Sequence, residues 1–272
     1  MTNTINAAAN PALANKMLQD ALASSEPVKD YEVKLVTPPE TLINLPGGII
    51  DDATGEVIYE AEIRELNGTD EEAIARVNTV GKAILTILQR GTVRVGNKRA
   101  DEQLLEKLLA GDRETLIFAI LKATFGNTAV IPSYCGGCNE LKEVSVDLNS
   151  DVKVKVLADR INDRVFTVQG KERVYTCQLP TGRTQKEIIL NTDKNRAELT
   201  TILLEGCVIK VDDSPVLGKF QVQTLPLLDR RTIAEEINSR LIGPQFKDIT
   251  TVCPDCDSEV QVPINFGTLF RI

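Results

Sequence analysis

"YCGGCNELKEVSVDL", residues 134–148, sets a C-x-x-C at the head of a stretch in which apolar and polar residues alternate as in a strand. "VCPDCDSEVQVPINF", residues 252–266, repeats the device near the other end of the chain. A C-x-x-C with glycine, proline or aspartate inside makes a tight turn that aims two thiolates at one ion, and zinc takes four ligands in a tetrahedron. The sequence contains no histidine, so a mixed Cys/His site is ruled out. The economical completion is one structural zinc per chain, held by Cys135, Cys138, Cys253 and Cys256, each C-x-x-C supplying half of a pseudo-twofold site. Four thiolates leave no open position for water, which points to a structural ion rather than a Lewis acid. Such an ion contributes on the order of 10 kcal/mol to folding. Closing a long loop is where a staple gains most from chain entropy.

Working outward from the cysteines, other pieces recur in the same order. "LAGDRETLIFAILKATFG" (109–126) is echoed by "LLDRRTIAEEINSRLIGP" (227–244), with Asp-Arg-x-Thr-[Leu/Ile] in both. Asp112 lies 23 positions before Cys135, and Asp229 lies 24 before Cys253. "GKAILTILQRGTVRV" (81–95) is echoed by "AELTTILLEGCVIKV" (197–211), with Ile87-Leu88 over Leu203-Leu204 and Val95 over Val211; "INLPGG" (43–48) is matched to "CQLPTG" (177–182). Leu-rich helices align with anything, but a fixed interval from D-R-x-T to C-x-x-C does not come from generic patterning. The expected fold class is α+β: two related copies of a strand–turn–helix–helix–zinc-knuckle–strand unit joined at a shared four-cysteine, zinc-ribbon-like site. The expected organisation is an N-terminal appendage over 1–30, a first repeat over 31–150 and a second over 151–272, the repeats packed as one body.

Local signals place the elements. In the appendage, Asn10-Pro11 is a cap and first-turn proline, and Leu13, Met17, Leu18, Ala21 and Leu22 share one helical face. That face either packs on the chain's own body or docks a partner. "YEVKLV" (31–36) reads as a strand, and Val57, Tyr59, Ala61 and Ile63 alternate after a turn at "DDATG". Thr69 and Glu72 are spaced as a capping box. Asp112 is a natural N-cap, the wide apolar stripe of Leu116, Ile117, Ile120 and Leu121 marks a mostly buried helix, and Gly126-Asn127 closes it. "TVRV" (92–95) reads as a short strand or a helix exit.

Composition bounds the chemistry. The 272 residues are 42% hydrophobic and 26% charged, an ordinary globular balance. The apolar runs are too short to span a bilayer, and "MTNTINAAANPALANKML" lacks the pattern of a secretory signal. A cytosolic setting with reduced thiols is therefore expected. The net charge of −8, from 39 acidic against 31 basic residues, with 4% aromatics and no tryptophan, does not suit phosphate binding. Without histidine, Ser-His and Cys-His nucleophile pairs are excluded, and no phosphate-cradling glycine loop is present. Asp51-Asp52, Glu71-Glu72 and Asp212-Asp213 read as turns and solvated helix faces rather than acid–base pairs. Cys177 and Cys207, in "VYTCQL" and "EGCVIK", read as small core residues. Three alternatives to zinc stand beside it: a redox C-x-x-C, which belongs at a helix N-terminus rather than before a strand; two disulfides; and four reduced thiols without metal.

The series "RELNGTDEE", "LLAGDRETLI", "YCGGC" and C-terminal "CPDC", followed by a strand ending in "LF", resembles the tail-assembly proteins of tailed bacteriophages, the baseplate hub assembly chaperones of the T-even-phage type. The resemblance covers roughly residues 40–272; residues 1–30 have no counterpart, and "CGGC" departs from the proline or basic residue more usual there. It implies a non-enzymatic assembly or structural role exercised through contacts with phage tail or baseplate hub proteins. It also implies a place in the infected host's cytoplasm or the virion's tail tip, with no membrane and no nucleic acid. Of the residues with evident chemistry, Cys135, Cys138, Cys253 and Cys256 alone match family positions. The competing functional classes are a zinc-ribbon nucleic-acid-binding protein and a thiol oxidoreductase.

Overall fold

A computed structural model describes Asn15 and residues 41–216, 218–247 and 249–270. The expected strand at 31–36 and the appendage's apolar face lie outside the described residues. From Pro39 onward the chain makes one compact unit.

The first sheet is antiparallel and runs in chain order: β1 (Leu42–Ile50), β2 (Val57–Ile63), β3 (Thr92–Val95) and β4 (Lys98–Arg99). Two helices, α1 (Gly68–Ala75) and α2 (Val80–Gly91), interrupt it between β2 and β3. Helices α3 (Glu102–Lys107) and α4 (Ala110–Phe125) follow, then a hairpin of β5 (Thr128–Cys135) and β6 (Glu140–Asp147). After the short β7 (Lys153–Lys155), the order recurs. A second antiparallel sheet is built from β8 (Val165–Gln169), β9 (Val174–Gln178), β10 (Val208–Val211) and β11 (Ser214–Pro215). Helices α5 (Gly182–Leu190) and α6 (Arg196–Cys207) sit between β9 and β10. Then come α7 (Lys219–Gln223), α8 (Leu227–Arg240), β12 (Gly243–Gln245) paired with β7, a hairpin of β13 (Thr250–Val252) and β14 (Glu259–Gln261), and α9 (Phe266–Phe270).

The segment 92–95 is thus a strand, and Val95 and Val211 occupy like places in their sheets, Val95 opposite Ala61 and Val211 opposite Tyr175. The Leu-Pro pair does not align as expected. "LPGG" lies inside β1, whereas "LPTG" follows β9, the second strand of its sheet. Each C-x-x-C also closes a strand as well as opening one, since β5 runs up to Cys135.

Two apolar cores form. The first gathers Leu45, Ala61, Ile63 and Val95 from the sheet, Ile87 and Leu88 from α2, and α4 almost entire. Helix α4 carries an apolar surface on every side because it is wrapped by β1, α2, β12 and α9. Its N-cap, Leu109, makes no side-chain cap; the Ala110 amide is satisfied instead by the Pro180 carbonyl. Burying Leu116, Ile117, Phe118, Ile120 and Leu121 at roughly 2 kcal/mol each far outweighs a missing cap of about 1 kcal/mol. Asp112 sits at the third position of the first turn, not at the cap, and points at β1, where the Gly47 and Gly48 amides bond to it. The α1 cap is also displaced from expectation: Asn67 with Asp70 forms the capping box, not Thr69 with Glu72.

The second core gathers Phe166, Val168, Tyr175, Leu204, Val222, Ile233 and Ile237. Residues 249–270 do not join it. Ile249, Cys253, Val260, Val262, Ile264 and Phe270 pack into the first core beside Ile131, Val144 and Val146. That crossing lays the β13–β14 hairpin against the β5–β6 hairpin.

Candidate metal centre

The two cysteine turns are alike in detail. Asn139 donates its amide to the Cys135 carbonyl at 2.8 Å, and Asp257 donates to the Cys253 carbonyl at 3.1 Å. Both residues following the second cysteine adopt the left-handed conformation, φ +60° at Asn139 and +57° at Asp257, which Asn and Asp tolerate best among non-glycine residues. The sequence thereby builds a knuckle at each site from its own local turn chemistry.

Packing of the hairpins then brings the four sulfurs together. All lie within 4.8 Å of one another. Cys135 Sγ is 3.5 Å from Cys256 Sγ, and Cys138 Sγ is 3.8 Å from Cys253 Sγ. Sulfurs about 2.3 Å from a tetrahedral zinc stand about 3.8 Å apart, so the donor set and spacing fit such an ion. The first cysteine of each turn meets the second of the other, the exchange a twofold relationship requires. Cys135 and Cys253 are buried, Cys138 is half-buried and Cys256 is exposed.

Neighbouring groups tune the thiols. Ser258, 3.3 Å from the Cys256 sulfur, holds that thiol down at about 6. Its contact with Cys256, reinforced by burial, pushes the Cys138 thiol up to about 12. The pattern is that of sulfurs competing for protons at close range, a competition a divalent ion resolves by displacing them. The Cys138 amide donates to Cys135 Sγ at 3.4 Å. Lys142 on β6 reaches Asp255, inside the other turn, at 2.8 Å and is raised by that contact.

The two glycines of "CGGC" are not sterically equivalent. A Cβ on Gly137 would stand 2.9 Å from the Cys256 sulfur and would also strike Ser258, while one on Gly136 would meet nothing within 4 Å. Gly137 and Ser258 went unnoticed in the sequence because their role exists only across the contact between hairpins. Neither C-x-x-C opens a helix, so neither thiol pair draws on the positive end of a helix.

Cys177 and Cys207 are buried in the second core, and burial pushes each thiol up to about 12. The acidic pairs do not converge. Asp51 accepts the Ala53 amide in the β1–β2 turn, Glu71 and Glu72 are exposed on α1, and Asp212 lies in the β10–β11 turn at φ +53°. No helix among the described residues is long and apolar enough to cross a membrane. Comparison with known proteins finds no matching family model, no matching curated protein and no matching solved structure.

Proposed function

We propose that the chain is two copies of one unit clamped by a single structural zinc ion on Cys135, Cys138, Cys253 and Cys256, and that this body works without catalysis, through protein–protein contacts. The crossed sulfur pairs, Cys135 with Cys256 and Cys138 with Cys253, carry the clamp. The two-copy reading is supported by the shared element order and by Asp112 and Asp229, each of which reaches from the first turn of its helix to backbone amides of its own half, Gly47 and Gly48 in β1 for Asp112 and Lys171 in the β8–β9 turn for Asp229. On this reading the unit is strand–strand–helix–helix–strand–strand–helix–helix–hairpin, longer than the motif visible in the sequence.

Metal analysis beside native mass tests the clamp: one zinc per chain is expected, and Cys138→Ser and Cys256→Ser should each abolish binding with similar losses of stability. Two ions per chain, or retention in one variant, would overturn it.

The motif series supports the further proposal that the chain serves phage tail or baseplate hub assembly in the infected host's cytoplasm. A tagged chain recovered from infected cells should bring tail or hub proteins with it. Recovery of nucleic acid with a steep salt dependence would replace this reading by the nucleic-acid class.

A further inference from the structure

Residues 108–110 and 180–182 meet within the chain through their backbones. Leu109 bridges Thr181, the Ala110 amide donates to the Pro180 carbonyl at 2.8 Å, and the Gly182 amide donates to the Leu108 carbonyl at 2.7 Å. Around this bridge, Lys186 of α5 reaches Glu106 of α3 at 2.6 Å and also pairs with Glu102. Gln185 donates to Glu114 at 3.1 Å. A Cβ on Gly182 would strike the Leu105 carbonyl, and one on Gly81 of α2 would stand 2.6 Å from Ile189.

This contact is one-sided. The α3–α4 corner of the first half grips the start of α5 in the second, but the equivalent surfaces, the α7–α8 corner and the start of α1, do not meet each other. Both stand open. At the corner, Phe220, Leu227 and Leu228 are 76%, 65% and 62% exposed. At α1 there is a groove of about 780 Å³ whose lining includes Leu66, Gly68, Glu71, Ile74, Ala75 and Val80. Leu66, Gly68, Glu71 and Ala75 stand where Pro180, Gly182, Gln185 and Ile189 stand in the second half. Gly68 repeats Gly182, although a Cβ there would meet nothing within 4 Å inside this chain.

The two open surfaces are complementary, with the internal pairs exchanged. Glu102 and Lys219 each lie ten positions before the Asp of D-R-x-T, and Lys186 and Glu72 each lie four after the helix-opening glycine. The internal Glu102–Lys186 pair therefore becomes Lys219 opposite Glu72, with both signs reversed. By the same equivalence, Glu114 with Gln185 becomes Arg231 opposite Glu71. Gly81 against Ile189 becomes Ala197 against Ala75, with bulk redistributed. Lys219, Arg231, Glu71, Glu72, Ala75 and Ala197 are all exposed. Arg230 is the exception: it is bonded within its own half to Val222 and Thr201, so the bond Arg113 makes to Gly182 has no counterpart.

We propose that the chain associates with a second copy of itself head to tail, the α7–α8 corner of one entering the α1 groove of the next as the α3–α4 corner meets α5 within the chain. The inference rests on the two-copy reading. The association is heterologous, so repeated addition gives a ring if the rotation closes and a filament if it does not.

Sedimentation of the zinc-loaded full-length chain over a range of concentrations tests the proposal. Oligomers larger than a dimer are expected. Glu72→Lys and Lys219→Glu should each weaken association by about tenfold or more, one like-charge contact being worth about 1.4 kcal/mol. The double variant should restore it. Mixing the two single variants should also restore oligomers larger than a dimer, because each variant's corner then meets a groove of opposite charge on the other. Glu72 also pairs with Arg76 at 3.2 Å in its own chain, so Arg76→Ala, which removes that pair alone, should leave association as in the wild type. A monomer at every concentration, or association indifferent to both single variants, would overturn the proposal. Metal content measured on the same samples separates the readings: monomers holding one zinc sink the association alone, and charge-dependent oligomers without zinc sink the clamp alone.

Discussion

The Asp112 carboxylate accepts the Gly47 amide at 2.6 Å. The same oxygen takes the Gly48 amide at 3.1 Å, while Arg164, at 2.8 Å, donates to the carbonyls of both glycines. "LPGG" is thus gripped on both edges, by an acid from α4 and a base from the segment leading into β8. Gly48, at φ +74°, would bring a Cβ within 2.5 Å of the Ile58 carbonyl, so the irregularity in β1 needs a glycine there.

The other Asp112 oxygen is buried without a hydrogen-bond partner, and burial pushes the carboxyl up to about 6. An unfolded aspartate titrates near 3.9. The folded chain therefore holds this proton more tightly, and the stability the group contributes falls as pH rises from about 4 to about 6, staying lost above. Glu114, pushed by burial up to about 7, tilts the same way. In urea unfolding, the stability of the wild type relative to Asp112→Asn should drop by about 2 kcal/mol between pH 4 and pH 7. A pH-independent difference would refute the assignment.

Asp229 is the opposite case. The buried Tyr175 hydroxyl donates to it at 2.6 Å and the Lys171 amide at 3.0 Å; the Tyr175 bond is foremost in holding the carboxyl below its usual range. With the folded pKa depressed, its stabilisation is present above about pH 4 and lost as pH falls through the folded value. Tyr175→Phe should cost about 2 kcal/mol at pH 7, as for a buried bond to a charged group, and less at pH 3. Chemical denaturation at the two pH values checks both the size and the narrowing.

Adjacent glycines in the first knuckle provide an internal control. Gly137→Ala crowds the Cys256 sulfur and should weaken zinc binding by about tenfold or more in competition with a chelator, equivalent to about 1.4 kcal/mol. Gly136→Ala enters open space and should bind as the wild type does. Equal losses in both would show that backbone freedom, not the approach of the second hairpin, sets the requirement.

Several features were legible because their causes are local. C-x-x-C fixes a turn, the absence of histidine narrows the ligand set, and the β-branched "TVRV" becomes β3. Gly126, at φ +89°, ends α4 as its position suggested. Local rules failed where a distant group supplied the missing bond. Asp112 looked like a cap because aspartate before an apolar helix usually is one, but the Pro180 carbonyl meets the Ala110 amide and the carboxylate is left to hold β1. β5 was overlooked because Pro132 interrupts its pattern. In the hairpin Pro132 stands opposite Glu143.

By itself the sequence singled out the four cysteines, their two turns and the order of the helices that precede them, since each follows from residue chemistry over a few positions. Tertiary structure alone decided that residues 249–270 leave the second core for the first, and that Gly137 gives way to Cys256. It also decided that α5 covers the α3–α4 corner, whereas Phe220, Leu227 and Leu228 at the α7–α8 corner stay exposed among the described residues. Those outcomes depend on which apolar surfaces bury each other across more than a hundred residues, a competition that no local pattern encodes.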